Sequence, residues 1–284
     1  MKFTYTIQRP EMVRTFLQQQ AFSKRTISAI KHNGALLVNG QPVTVRKQLA
    51  INDNLEVFLS DETPSSNLIP YNDALNILYE DSYLIIVSKS AQQNCAPSRD
   101  HLHFSLVEQV LGYFNGRKLS LTPHIVTRLD RNTSGIVVLA KHGFIHHLMS
   151  QIKIDKKYLC ICQGLLDGDG LIDAPIARHP DSIIQRQVSS LGKSSQTKYK
   201  ALEHTNNHTL CEVSLLTGRT HQIRVHFQYI GHPLVGDDLY GGKDETYHHQ
   251  LLRCIQISFI HPIKKQKIII NDRYDAIETI FNMI

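Results

Sequence analysis

The sequence predicts an α+β fold: a mixed or antiparallel central sheet with flanking helices, preceded by a small N-terminal α+β unit. Three observations predict it. After residue 73 many short apolar runs have strand length, while only two stretches keep helical spacing. The first sixty residues combine two helical stretches with a hairpin. Between these regions, residues 60–72, SDETPSSNLIPYN, are polar and proline-bearing and read as a connection. The expected organisation is a unit at 1–60, a linker at 61–72 and a larger domain at 73–284.

Taken in order, Met12, Val13, Phe16 and Leu17 recur at helical spacing. Ser23 can cap a second helix that turns Ile27 and Ile30 inward, and Asn33-Gly34 can stop it. Leu36 to Val38, Asn39-Gly40 and Val43 to Val45 form a strong hairpin signal, because both central residues of the favoured turn need positive φ. Leu55 to Leu59 makes a last strand of this unit. In the larger domain, strands are expected at Ile77 to Tyr79, Tyr83 to Val87, Gly135 to Ala140, Tyr158 to Cys162, Leu210 to Leu216 and Ile255 to Phe259. The two helices are expected at Phe144 to Ile152 and Thr220 to Ile230.

Composition narrows the function classes. The chain has 284 residues with a net charge of +6, and a basic balance favours an acidic partner, most commonly nucleic acid. Five scattered cysteines form no CxxC pair, so neither a disulfide framework nor a zinc finger is indicated, and a reducing, cytoplasmic compartment is expected. No apolar run is long enough to span a bilayer. Dinucleotide, P-loop and HExxH patterns are absent, and the histidines do not group at metal-ligand spacing.

Two charged segments remain. One is Arg128-Leu129-Asp130-Arg131-Asn132-Thr133-Ser134-Gly135; the other runs from Thr217 through Gly218-Arg219-Thr220-His221-Gln222-Ile223-Arg224 to His226. Arg219 falls at the expected helix start, and Lys24 and Arg25 follow the Ser23 cap. The macrodipole disfavours cations at such positions, unless an anion such as an RNA phosphate shares the site.

From about residue 73 to its end, the chain resembles the RluA family of pseudouridine synthases. Arg-Leu-Asp-x-x-Thr-Ser-Gly resembles the family's signature around its catalytic aspartate, here Asp130. Thr217 to His226 resembles the second signature, Lys157-Tyr158 to Gly164 the tyrosine motif, and His232 to Gly241 the segment that follows. Residues 12–59 resemble the small ribosomal-protein-S-four-like RNA-binding domain. The chain departs from the family pattern at Thr127, at Ser88-Lys89-Ser90-Ala91-Gln92 and at Leu252-Arg253-Cys254.

The resemblance implies a central sheet of the pseudouridine synthase type, no cofactor, and a partner that is structured RNA: large-subunit ribosomal RNA first, transfer RNA second. A monomer is the default for the family. It also implies roles. An ionised Asp130 would attack the ribose or remove a proton from it. Arg224 would hold that carboxylate charged and oriented. Tyr158 would stack on the detached uracil and could move a proton in the last step, with Ile223 as the opposite wall. Arg128 would help flip out the target base. Arg219, His221, Lys24 and Arg25 are expected to bind substrate or RNA. The rivals are a silent RNA-binding protein and an enzyme of free nucleosides, which turnover on RNA compared with free uridine would separate.

Overall fold

A computed structural model describes residues 1–272 and 276–284. Its centre is a ten-stranded mixed sheet. Eight strands lie in the order Asp169–Asp173, Gln196–His204, His208–Leu215, Asp155–Gln163, Leu252–Ile260, Ser134–Ala140, Leu84–Lys89 and Ile77–Glu80. Lys267–Asn271 adds to Leu252–Ile260, and His124–Ile125 to Ser134–Ala140. Neighbours are antiparallel except Ser134–Ala140 beside Leu252–Ile260, which run parallel with Ser134 opposite Arg253 and Gly135 opposite Cys254.

The near-continuous apolar runs at 84–87 and 136–140 follow from burial on both faces. One face carries Leu84, Ile86, Ile136, Val138 and Ala140; the other carries Ile85, Val87, Val137 and Leu139. The second face is covered by the helix Leu106–Gly116, through Leu106, Val110 and Phe114. The periodicity of the sequence does not predict that helix. Its start carries a capping box, with Ser105 and Glu108 bonded reciprocally. Its body is buried nearly all round, including Glu108 and Gln109, so the amphipathic period is blurred. The other two helices start or stop slightly off expectation, at Gly143–Met149 and Gln222–Tyr229, and a short helix at Ala276–Phe281 is a further addition.

The N-terminal unit is a four-stranded sheet, with Lys2–Thr6, Asn54–Phe58, Ala35–Val38 and Gln41–Pro42 in that order, backed by the helices Val13–Gln19 and Lys24–Asn33. Asn39 (φ 53°) and Gly40 (φ 79°) both take the left-handed backbone that an Asn-Gly hairpin turn requires. The Ser23 hydroxyl accepts the Thr26 N–H at 3.0 Å, capping the second helix as its position suggested.

The connection at 60–72 does not separate two independent cores. The Phe22 ring stacks on Phe144 at 4.1 Å between centroids, and Phe3 meets Phe144 at 5.5 Å and Tyr83 at 5.9 Å. Both units thus share one apolar cluster. The connection is tied down as well. The Glu62 carboxylate pairs with His124 Nε2 at 2.8 Å and accepts the Gly143 N–H at 3.0 Å. Aromatic side chains bury roughly 150–250 Å² each, so cutting the chain near residue 65 would bare a sizeable apolar face on the larger unit. All five cysteines are free and buried. Among the described residues no helix is long and apolar enough to cross a membrane.

Candidate active site

A cleft of about 410 Å³ opens where the loop before Ser134–Ala140 faces the start of the helix Gln222–Tyr229. Residues from both charged segments line it, together with Tyr158 and Leu252. Its geometry begins with a glycine. Gly135 has φ +107°, and a Cβ there would collide with the Cys254 backbone on the parallel neighbour. Only glycine lets the two strands close at this point, and the Asp130 loop is held directly before it.

Two buried groups brace that loop. Thr127 Oγ1 accepts the Val138 N–H at 3.0 Å, tying the loop to the strand it precedes. Lys89 is 1% exposed and donates to the carbonyls of Ser90, Gln93 and Arg131 at 2.7, 2.8 and 3.0 Å. Burial lowers the pKa of the Lys89 ammonium to about 8, and three carbonyls accept its hydrogen bonds. In the sequence this lysine stood out only as part of a departure from the family pattern.

Asp130 is 29% exposed at the cleft. Arg224 Nη1 lies 3.5 Å from its Oδ2 and His221 Nε2 lies 3.8 Å from the same oxygen. Among the described residues Oδ1 accepts no hydrogen bond from the protein, so it is the oxygen left for a ligand. In enzymes without bound substrate, catalytic contacts are often of this length and shorten in the complex. Arg224 is itself oriented from behind. Its Nε and Nη2 donate to Asp237 Oδ2 and Oδ1 at 2.7 and 2.8 Å, and the Asp237 side chain is fully buried. Burial opposes the Arg224 charge, but the Asp237 bonds outweigh it and the guanidinium pKa ends above its ordinary value. A planar fork reaching two carboxylates at once is something Lys cannot reproduce.

Tyr158 is buried in the cleft floor. The strand Asp155–Gln163 shifts register against Leu252–Ile260 between Lys157 and Tyr158. Such irregularities re-aim a side chain and recur beside active sites. Burial pushes the Tyr158 phenol well up, and the Cys254 thiol and Asp130 add to this, so the hydroxyl keeps its proton. Ile223 is buried and lines the same cleft. Arg128 lines it from the exposed side.

The second segment is locked by Gln222, which is 2% exposed. Its Oε1 accepts from the Arg219 N–H and from Thr217 Oγ1, both at 2.9 Å, and its Nε2 donates to Gln196 O and Thr197 Oγ1, both at 3.0 Å. Arg219 therefore belongs to the turn before the helix, not to its first residues. Its exposed guanidinium donates to Ser194 O at 3.3 Å and lines the cleft. This removes the macrodipole argument for Arg219. His221 precedes the helix in the left-handed conformation, φ 58°. Lys24 and Arg25 are exposed on the first turn of their helix, as expected, and do not line the cleft. Gln222, Asp237, Tyr240 and Lys89 all escaped the sequence reading as site residues. The first three lay inside recognised motifs, which signalled them without a role.

Similarity to known proteins accords with this geometry. Residues 83–229 match the family described as RNA pseudouridylate synthase. The chain is 38% identical over 260 residues to YjbO of Bacillus subtilis (strain 168), an uncharacterized RNA pseudouridine synthase, covering 89% of this chain and 92% of that one. It is 35% identical over 241 residues to ribosomal large subunit pseudouridine synthase D of Buchnera aphidicola subsp. Schizaphis graminum (strain Sg), covering 78% and 76%. In fold it is similar to human RNA Pseudouridylate Synthase Domain Containing 1, with a TM-score of 0.60 at 23% identity over 75% of this chain and 87% of that one.

Proposed function

The chain belongs to the RNA pseudouridylate synthase family, and we propose that it converts specific uridines of large-subunit ribosomal RNA to pseudouridine with Asp130 as the reacting carboxylate. The observation that supports this most is the environment of Asp130, which lines the cleft with its Oδ2 approached by Arg224 and His221. Isomerisation breaks the bond from N1 of the base to C1′ of the ribose, turns the uracil and rejoins it through C5. A proton leaves C5 and N1 regains one, so no electrons or groups need be supplied from outside.

Both routes open to the carboxylate, attack on C1′ and removal of a ribose proton, require it ionised. Arg224 faces the carboxylate at 3.5 Å and supplies the counter-charge for that form. The detached uracil would be held between the Tyr158 ring and Ile223. Because its phenol stays protonated, Tyr158 suits a stacking wall and hydrogen-bond donor. Arg128, exposed at the rim, would grip the backbone beside the flipped nucleotide.

The ribosomal assignment is supported by relatives named ribosomal large subunit pseudouridine synthase D. It is tested by incubating the purified protein with large-subunit ribosomal RNA and with transfer RNA, then mapping pseudouridine. Modification is expected at defined sites in the ribosomal RNA. Modification of transfer RNA alone would overturn the target, and none in either would overturn the activity of this chain.

Residues 1–60 would form the RNA-binding unit, with Lys24 and Arg25 on phosphates. In the Lys24→Gln, Arg25→Gln double variant the slope of log affinity against log salt should flatten by roughly 0.7–0.9 for each phosphate no longer neutralised. An unchanged slope would mean that these charges only solvate the surface.

A further inference from the structure

The Tyr240 hydroxyl meets two groups of the protein. It accepts the Arg186 backbone N–H at 2.9 Å and lies 2.8 Å from His221 Nδ1. Tyr240 is 2% exposed, and burial raises its phenol, so the hydroxyl keeps its single proton. A buried O–H without an acceptor is more costly than a net hydrogen bond is favourable. Among the described residues, His221 Nδ1 is the acceptor within reach. Nδ1 therefore carries no proton, and the neutral ring must carry it on Nε2.

Nε2 is the nitrogen that faces Asp130 Oδ2 at 3.8 Å. The charged groups around the ring are Asp130, Arg224, Arg186 and Asp237. Burial pushes the His221 pKa below the ordinary imidazole value, against the pull of Asp130, so the ring is neutral at pH 7. Its backbone is left-handed, φ 58°, which sets the ring at the turn before the helix.

We infer that His221 is a catalytic hydrogen-bond donor, its Nε2–H directed at Asp130 Oδ2, and that Tyr240 is the positioning residue that enforces this tautomer. The inference deepens the reading of Asp130 as the reacting carboxylate. Arg224 Nη1 at 3.5 Å and His221 Nε2 at 3.8 Å both face Oδ2, the second close enough to donate once the site tightens around RNA, and Oδ1 is left to the ribose. A ring locked with its proton on Nε2 presents a donor, not a base, to Asp130. The same chain of bonds reaches further. Arg186 opens the strand Arg186–Val188, which pairs with Ile176–Arg178, so this hairpin is tied to the His221 ring through Tyr240.

The tautomer is read directly by NMR of protein labelled with ¹⁵N at the imidazoles. His221→Gln assigns the signal, because one resonance pair disappears from those of the 16 histidines. At pH 7 the His221 ring should be neutral with its proton on Nε2. In Tyr240→Phe, which keeps the ring over Arg224 but removes the hydroxyl, the proton should distribute over both nitrogens. In single-turnover assays with saturating enzyme, Tyr240→Phe should slow pseudouridine formation about tenfold with RNA affinity unchanged, the effect of one hydrogen bond to a charged group.

His221→Gln places an amide N–H near the Nε2 position and should stay within about tenfold of wild type. His221→Asn mimics Nδ1 instead and should fall about a hundredfold. An imidazolium or an Nδ1-protonated ring in the wild type would overturn the inference, as would equal rates for His221→Gln and His221→Asn. The spectrum does not depend on what Asp130 does. An active Asp130→Asn variant with an intact Nε2–H tautomer would therefore sink the reading of Asp130 and leave the tautomer assignment standing.

Discussion

Asp130→Asn is expected to cut pseudouridine formation by at least about 10⁴-fold, while folding and RNA affinity stay near wild type. The substitution keeps size and shape, and an amide can neither attack C1′ nor accept a ribose proton. Its structural cost should be small for two reasons. Asp130 is partly exposed, so little desolvation is at stake. Arg224 also keeps its bidentate bonds to Asp237, so no buried cation is orphaned. Release of tritium from C5-labelled uridine in the RNA measures the reaction, because the C5 hydrogen must leave. Turnover above a trace in purified Asp130→Asn would move the chemistry to another group.

Arg224→Lys should lower the rate about 10²- to 10³-fold, the usual size of losing one preorganised electrostatic partner. An ammonium is a point charge and cannot bond Asp237 through two nitrogens while a third faces Asp130. Arg224→Met goes further and leaves the fully buried Asp237 without a counter-charge. Its cost is expected at about 3–5 kcal/mol of stability, as when one partner of a buried pair is removed. Urea unfolding separates the two effects. Arg224→Lys should unfold closer to wild type than Arg224→Met does and still be slow. A lysine variant with half the wild-type rate would show that positive charge alone suffices and that the fork geometry contributes little.

Much of this architecture was legible because it rests on short-range patterns. The Asn39-Gly40 turn needs two positive φ values that these residues supply, and Ser23 caps a helix through a contact three residues away. The central strands are apolar without alternation because both of their faces are covered. Asp130 and Arg224 were located by motif resemblance, as spacing alone allowed a solvated turn and a helix start. The helix Leu106–Gly116 was missed although Ser105 and Glu108 mark its start, because a helix buried all round loses the period by which helices are recognised.

What the sequence by itself determined was therefore the α+β class, the order of most strands along the chain, the small unit before the connection, and the two charged segments that line the cleft. Only the tertiary structure decided which side chains meet. Asp130 and Arg224 stand 94 residues apart in sequence and come together because the strand after Asp130 lies parallel to Leu252–Ile260, across a contact that Gly135 alone permits. The same holds for Asp237 behind Arg224, Tyr240 behind His221, and Phe3 and Phe22 against Phe144. Periodicity and capping report on groups within a few residues of one another. Sheet order and cross-chain packing are set by the total burial and hydrogen bonding of the assembled fold, to which no single segment holds the key.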